Sequence, residues 1–117
     1  MTANTELAQR WHEVCDETDL VANSGVCALI DDQQVAIFSF YNKGERFIYA
    51  ISNYDPVGKA NVLYRGLLGS LKDEPVVASP LYKEHYSLET GKCFERDDVS
   101  VMVYPVKLEG TRVHVAV

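Results

Sequence analysis

Chemistry requires reactive side chains brought together, and the candidates here are few: His12, His85 and His114; Cys15, Cys27 and Cys93; the carboxylate pairs Asp31-Asp32 and Asp97-Asp98; and the segment Gly66-Leu67-Leu68-Gly69. A metal site needs clustered His, Cys or carboxylate ligands, but the three histidines fall on separate predicted strands and no Cys-x-x-Cys or Cys-x-His occurs. Structural or surface roles follow for them. A nucleophilic thiol needs a lowered pKa, and no cysteine sits at a strand-to-helix elbow or beside clustered basic residues. The cysteines read as reduced, buried core thiols. Gly66 to Gly69 lacks the lysine and preceding strand of a phosphate-binding loop. The paired carboxylates fall in predicted turns, where solvation accounts for them. No catalytic residue emerges.

The elements that would position such groups are short strands. β-Branched and aromatic residues cluster in runs of period two, separated by Gly, Asp, Asn and Pro. Strands are predicted over Trp11 to Cys15, Val26 to Ile30, Val35 to Phe40, Phe47 to Ser52, Val76 to Ala78, His85 to Leu88, Val99 to Tyr104 and Arg112 to Val117. Asp31-Asp32, Asn42-Lys43-Gly44 and Glu109-Gly110 read as hairpin turns joining antiparallel neighbours. Pro105 marks a bulge or sheet edge. His114, alternating with apolar neighbours, points to the outer face. Asn53 to Leu71 and Ser79 to Glu84 read as long loops of the kind that bind or dock. Helix is minor, with short turns at Thr5 to Trp11 and Asn61 to Leu68. No internal repeat is apparent.

At 117 residues the chain fits a single domain spanning 1–117. Eleven Lys plus Arg against 17 Asp plus Glu give a net charge of -6, which repels nucleic acid and anionic lipid. No apolar run approaches the roughly 18 residues of a membrane helix, and Met1 to Glu13 carries no secretory pattern. The unpaired cysteine count also fits a cytoplasmic protein.

Read together, Tyr49-Ala50-Ile51-Ser52-Asn53, Val77-Ala78-Ser79-Pro80 and Tyr86-Ser87-Leu88-Glu89-Thr90-Gly91 resemble a Rieske-type domain. The likeness runs from Trp11, Val14 and Asp19-Leu20 to Tyr104-Pro105-Val106 and Val113 to Val117. It implies an all-β, antiparallel sandwich or open barrel with two long loops at one end. In that family two Cys and two His on those loops hold a 2Fe-2S cluster. Here the corresponding positions are Asp55, Val57, Ser79 and Tyr82, so the resemblance implies a domain with no cluster. Tyr82, with Val57 beside it, is expected to fill the former metal site, its hydroxyl reaching Asp55 or Ser79.

A Rieske-like chain of this size without ligands resembles the small subunits of NAD(P)H-dependent nitrite reductase. Asn53-x-Asp55-Pro56, Val62-Leu63-x-Arg65-Gly66-Leu67 and Val77-Ala78-Ser79-Pro80-Leu81 carry that narrower likeness. It implies a non-catalytic accessory chain and a large-subunit partner that holds the FAD, iron-sulfur and sirohaem groups and reduces nitrite to ammonium. The loop end is the expected docking surface, with Lys59, Arg65 and Lys83 making it locally basic. A Rieske-type ferredoxin carrier and a stand-alone β-barrel binding module are the alternatives.

Overall fold

The computed structural model describes residues 9–117. Twelve strands are present among them: β1 (Trp11–Asp16), β2 (Ser24–Ile30), β3 (Gln33–Asn42), β4 (Glu45–Ser52), β5 (Tyr54–Asp55), β6 (Ala60–Asn61), β7 (Leu67–Leu71), β8 (Glu74–Ala78), β9 (His85–Ser87), β10 (Val103–Tyr104), β11 (Val106–Glu109) and β12 (Arg112–Ala116). The only helical pieces in this range are 3-10 turns at Glu17–Asp19 and Leu63–Arg65. The expected all-β character holds. The turn expected within Asn61 to Leu68 is the Leu63–Arg65 piece. Residues 5–8 of the Thr5 to Trp11 turn lie outside the described residues, and Trp11 opens β1.

Three antiparallel sheets form the body. A central sheet has the order β10-β4-β3-β2, an outer sheet β1-β12-β11, and a small sheet β7-β8-β9. Strand β3 explains the layering. Its run Val35-Ala36-Ile37-Phe38 does not alternate with polar residues because both faces are covered. Val35 and Ile37 join Ile30, Ala50, Tyr104, Val113 and Val115 in a core shared with the outer sheet. Ala36 and Phe38 point the other way, packing with Ile51, Leu63, Val77, Tyr86 and Leu88. The central sheet is therefore the filling between two layers.

The hairpins form as read. Asp31 and Asp32 take φ of 49° and 65°, and Lys43 and Gly44 take 54° and 80°, the left-handed pair that matches strand twist. Gly110, at φ 62°, turns β11 onto β12. Pro105 sits where the chain leaves one sheet for another: β10 pairs with β4, and β11 pairs with β12. A residue without an N–H suits that switch.

Three expectations need correction. Leu67–Leu71 is a full strand paired with β8, not loop; its Gly69 and lack of β-branched residues hid it. Of Val99 to Tyr104 only Val103–Tyr104 is strand, since Val99 and Val101 spend their backbone bonds on Cys93 and Gly91 in an isolated bridge. Cys27 is exposed and Cys15 half-buried, leaving Cys93 as the buried thiol of the three. His114 lies on the outer face as expected, alternating with the buried Val113 and Val115, and is half-buried there with Nε2 3.4 Å from Glu109.

Candidate functional site

The two sequences Asp55-Pro56-Val57-Gly58-Lys59 and Ser79-Pro80-Leu81-Tyr82-Lys83 fold alike. In the first, Asp55 Oδ1 accepts from Val57 N at 2.9 Å, and Lys59 N closes the turn on Asp55 O at 2.7 Å. In the second, Ser79 Oγ accepts from Leu81 N at 3.2 Å, and Lys83 N closes on Ser79 O at 3.1 Å. A short polar side chain that bonds the backbone two residues on, followed by proline with its fixed φ, nucleates such a turn. Each turn ends on a left-handed lysine, with φ 59° at Lys59 and 67° at Lys83. The repeat is one that sequence reading overlooked.

The twin turns meet through their first residues. Ser79 Oγ donates to Asp55 Oδ2, and Tyr86 from β9 donates its hydroxyl to Asp55 Oδ1 at 2.8 Å. Asp55, Ser79 and Tyr86 are all fully buried. A buried carboxylate needs such partners. Burial opposes ionisation of Asp55, but the bonds from Ser79, the Gly58 backbone, Tyr86 and Val57 outweigh it and hold the carboxyl below its ordinary range. Burial, then the hydrogen bond to Asp55, pushes the Tyr86 phenol far up. Both charges are thus fixed at neutral pH: an anionic Asp55 and a neutral, donating Tyr86.

Gly58 lets the turns close on each other. A Cβ there would collide with the Leu81 side chain and lie 2.9 Å from Asp55 Oδ2. At the base of the first loop, fully buried Asn53 donates to Gln34 Oε1 and Asn61 O, each at 3.1 Å, and accepts from Tyr64 N at 2.8 Å. At the far side of β9, Ser87 Oγ donates to Glu74 at 2.6 Å and accepts from Glu89 N and Thr90 N at 3.1 Å each. Gly91 then turns at φ 80°, where a Cβ would run into Val101 O.

The two loops therefore lie together, as expected, but the residue between them is different. Tyr82 is 66% exposed and does not fill the former metal site. The phenol that reaches Asp55 is Tyr86, which arrives from 31 residues away along the chain. Local pattern gives no sign of that partner. Val57 is half-buried. Lys59, Arg65 and Lys83 are exposed, and among the described residues none of them makes an ion pair. Arg65 instead lies over the Tyr64 ring, 5.4 Å from its centroid.

The residues that the resemblance sets at the four ligand positions, Asp55, Val57, Ser79 and Tyr82, do not fit a 2Fe-2S cluster. They supply a carboxylate already engaged by donors, a branched alkane, a hydroxyl bound to that carboxylate, and an outward phenol, with no thiolate or imidazole among them. Among the described residues no three His, Cys, Asp or Glu side chains are grouped as a metal site. Each histidine sits beside a different carboxylate, His85 closest with Nδ1 2.6 Å from Glu95, His12 3.4 Å from Asp31 and His114 3.4 Å from Glu109. Burial raises the pKa of all three cysteine thiols, so none is an activated nucleophile. No helix among the described residues is long and apolar enough to cross a membrane.

Comparison with known proteins gives the same outline. Residues 10–116 match the model of the Rieske-like [2Fe-2S] domain. The nitrite reductase (NADH) small subunit of Escherichia coli strain K12 is 40% identical over 100 residues, covering 86% of this chain and 91% of that protein. The nitrite reductase [NAD(P)H] large subunit of Klebsiella oxytoca is 37% identical over 105 residues, 90% of this chain but 11% of that protein. The solution structure of the nitrite reductase [NAD(P)H] small subunit from Erwinia carotovora superposes with a TM-score of 0.75 at 38% identity, covering 92% of this chain and 81% of that one.

Proposed function

This chain belongs to the Rieske-like [2Fe-2S] domain family and, within it, to the nitrite reductase small subunits, and from that premise we propose that it is the accessory subunit of an NAD(P)H-dependent nitrite reductase. It acts as one domain in the cytoplasm. Its partner is the large subunit, which carries FAD, iron-sulfur and sirohaem groups and reduces nitrite to ammonium; this chain alone is inactive. The observation that carries the reading is the Asp55 centre. Where the family fold would hold an electron-transfer cluster, a saturated, redox-inert carboxylate ties two preserved loops together. Loops kept in shape without their chemistry suit recognition.

The loop end is the docking surface. Lys59, Lys83 and, beside them, Arg65 give it positive charge on a chain of net charge -6, so it meets an acidic patch on the large subunit. The Klebsiella large subunit supports this pairing, since it contains a domain of this kind within its own polypeptide. Association with purified large subunit, followed by surface binding kinetics at several salt concentrations, tests the reading. Lys59→Glu combined with Lys83→Glu should slow association and flatten its salt dependence while leaving folding intact. Parental binding and parental support of NADH-dependent nitrite reduction by that variant would move docking to another face, with the acidic turns at Asp31-Asp32 and Glu95 to Asp98 next in line.

A further inference from the structure

The twin turns differ at their third and fourth positions, Val57-Gly58 in one and Leu81-Tyr82 in the other. Gly58 provides the hollow against which Leu81 seats. That leaves Tyr82, one residue on, turned outward and 66% exposed. Its neighbours at this end are also uncovered: Leu81 at 45%, Tyr54 at 43% and Leu67 at 71% exposure. Leu67 pairs with Ala78, the residue before Ser79, and Tyr54 precedes Asp55, so both flank the joined turns along the chain. A single exposed apolar residue is ordinary, but a group of them rimmed by Lys59, Arg65 and Lys83 is an interaction surface.

We propose that Tyr82, with Leu81 beside it, is the apolar anchor that inserts into the nitrite reductase large subunit. This rests on the docking reading above and gives it a centre. An aromatic side chain with two soft torsions on a stiff loop loses little entropy on binding, which is why such residues dominate interface energies. The loop is stiff by construction. Lys83 N bonds Ser79 O at 3.1 Å, Ser79 N bonds Glu84 O at 2.8 Å, and Ser79 Oγ is locked to Asp55. The occupant is the large subunit and not a second copy, because the rim is cationic and two copies would set Lys59, Arg65 and Lys83 against their own kind. In the Klebsiella relative a stretch 37% identical to this chain lies within the large-subunit polypeptide itself, which holds the two at high effective concentration. Lysines steer the encounter; Tyr82 holds the complex.

Binding kinetics with the purified, cofactor-loaded large subunit separate the two parts. Tyr82→Ser should raise Kd about 30-fold or more, the size of a hot-spot truncation, mainly by faster dissociation. Leu81→Ser should act in the same direction, and Tyr82→Phe should stay near the parent. Each variant is checked by urea midpoint and far-ultraviolet circular dichroism, so a folding defect is seen directly. If the lysine reversals weaken binding while Tyr82→Ser and Leu81→Ser bind as the parent does, the anchor is refuted and loop-end docking stands. If all the variants bind as the parent does, both fail. A parent chain that does not bind the large subunit overturns the accessory-subunit reading itself. If Tyr82→Ser abolishes self-association in sedimentation velocity yet leaves large-subunit binding intact, the occupant is a second copy and the proposal is wrong.

Discussion

Replacing Tyr86 by phenylalanine keeps the ring in the core and removes one hydroxyl, which makes it the cleanest probe of the Asp55 centre. In the parent, Asp55 Oδ1 accepts from Tyr86 at 2.8 Å and from Val57 N at 2.9 Å, while Oδ2 accepts from Ser79. The variant leaves the carboxylate with its other donors, so the cost is that of one hydrogen bond to a charged group, about 1.5–3 kcal/mol, and not the ~3–5 kcal/mol of an orphaned buried charge. With a urea m-value of ~2 kcal/mol/M, the denaturation midpoint should fall by about 1 M. Acid has a defined sign. The folded Asp55 pKa lies below the ordinary value, so its stabilisation is full above about pH 4 and is lost as pH falls through the folded pKa. Tyr86→Phe removes one cause of that depression, so parent and variant should differ most at pH 7 and converge in acid. A difference within ~0.5 kcal/mol at pH 7, the range of a neutral surface change, or a gap that does not narrow in acid, would refute the charge-assisted bond.

Three further outcomes can be checked on the isolated chain. Asn53→Ala removes the bonds to Gln34, Asn61 and Cys27 and strands Tyr64 N, so calorimetry should show a loss of about 2–4 kcal/mol, and hydrogen exchange should rise at Tyr64. Gly91→Ala forces a side chain into a left-handed position against Val101 O and should cost more than ~2 kcal/mol, with Gly58→Ala milder because its backbone is not left-handed and the end of Leu81 can yield, leaving the 2.9 Å approach to Asp55 Oδ2 as its cost. Anaerobic reconstitution with iron and sulfide should leave the protein colourless; stoichiometric iron with a 2Fe-2S absorption and paramagnetic signature would overturn the reading of Asp55, Val57, Ser79 and Tyr82.

What the sequence disclosed depended on whether the signal was local. Hairpins built on Asp31-Asp32, Asn42-Lys43-Gly44 and Glu109-Gly110 are two- or three-residue events, and their residues name them. Strand β3 was visible as an apolar run. Strand β7 was not, because Leu67-Leu68-Gly69-Ser70-Leu71 has little intrinsic strand preference and owes its shape to pairing with β8. At the candidate site, the order of motifs placed the two loops together, and it also pointed to Asp55 and Ser79. It misassigned the phenol, since Tyr82 is near in sequence and Tyr86 is the one near in space. The matched turns were readable all along: Asp or Ser, then Pro, then lysine three residues later.

Those matched turns also bear on the order of events in folding. Each closes a ring of five residues and can form before the sheets exist, at small loop-closure cost. The bond between them joins residues 24 apart and must wait until β4 and β8 are in place. Tyr86→Phe, which removes a long-range bond to Asp55 and leaves both turns their own bonds, should therefore speed unfolding and leave the refolding rate nearly unchanged, a pattern stopped-flow chevrons would reveal or contradict. The clasp governs how long the native loop end persists more than how fast it is reached. For a chain whose work is to be held by another, that lifetime is the relevant clock.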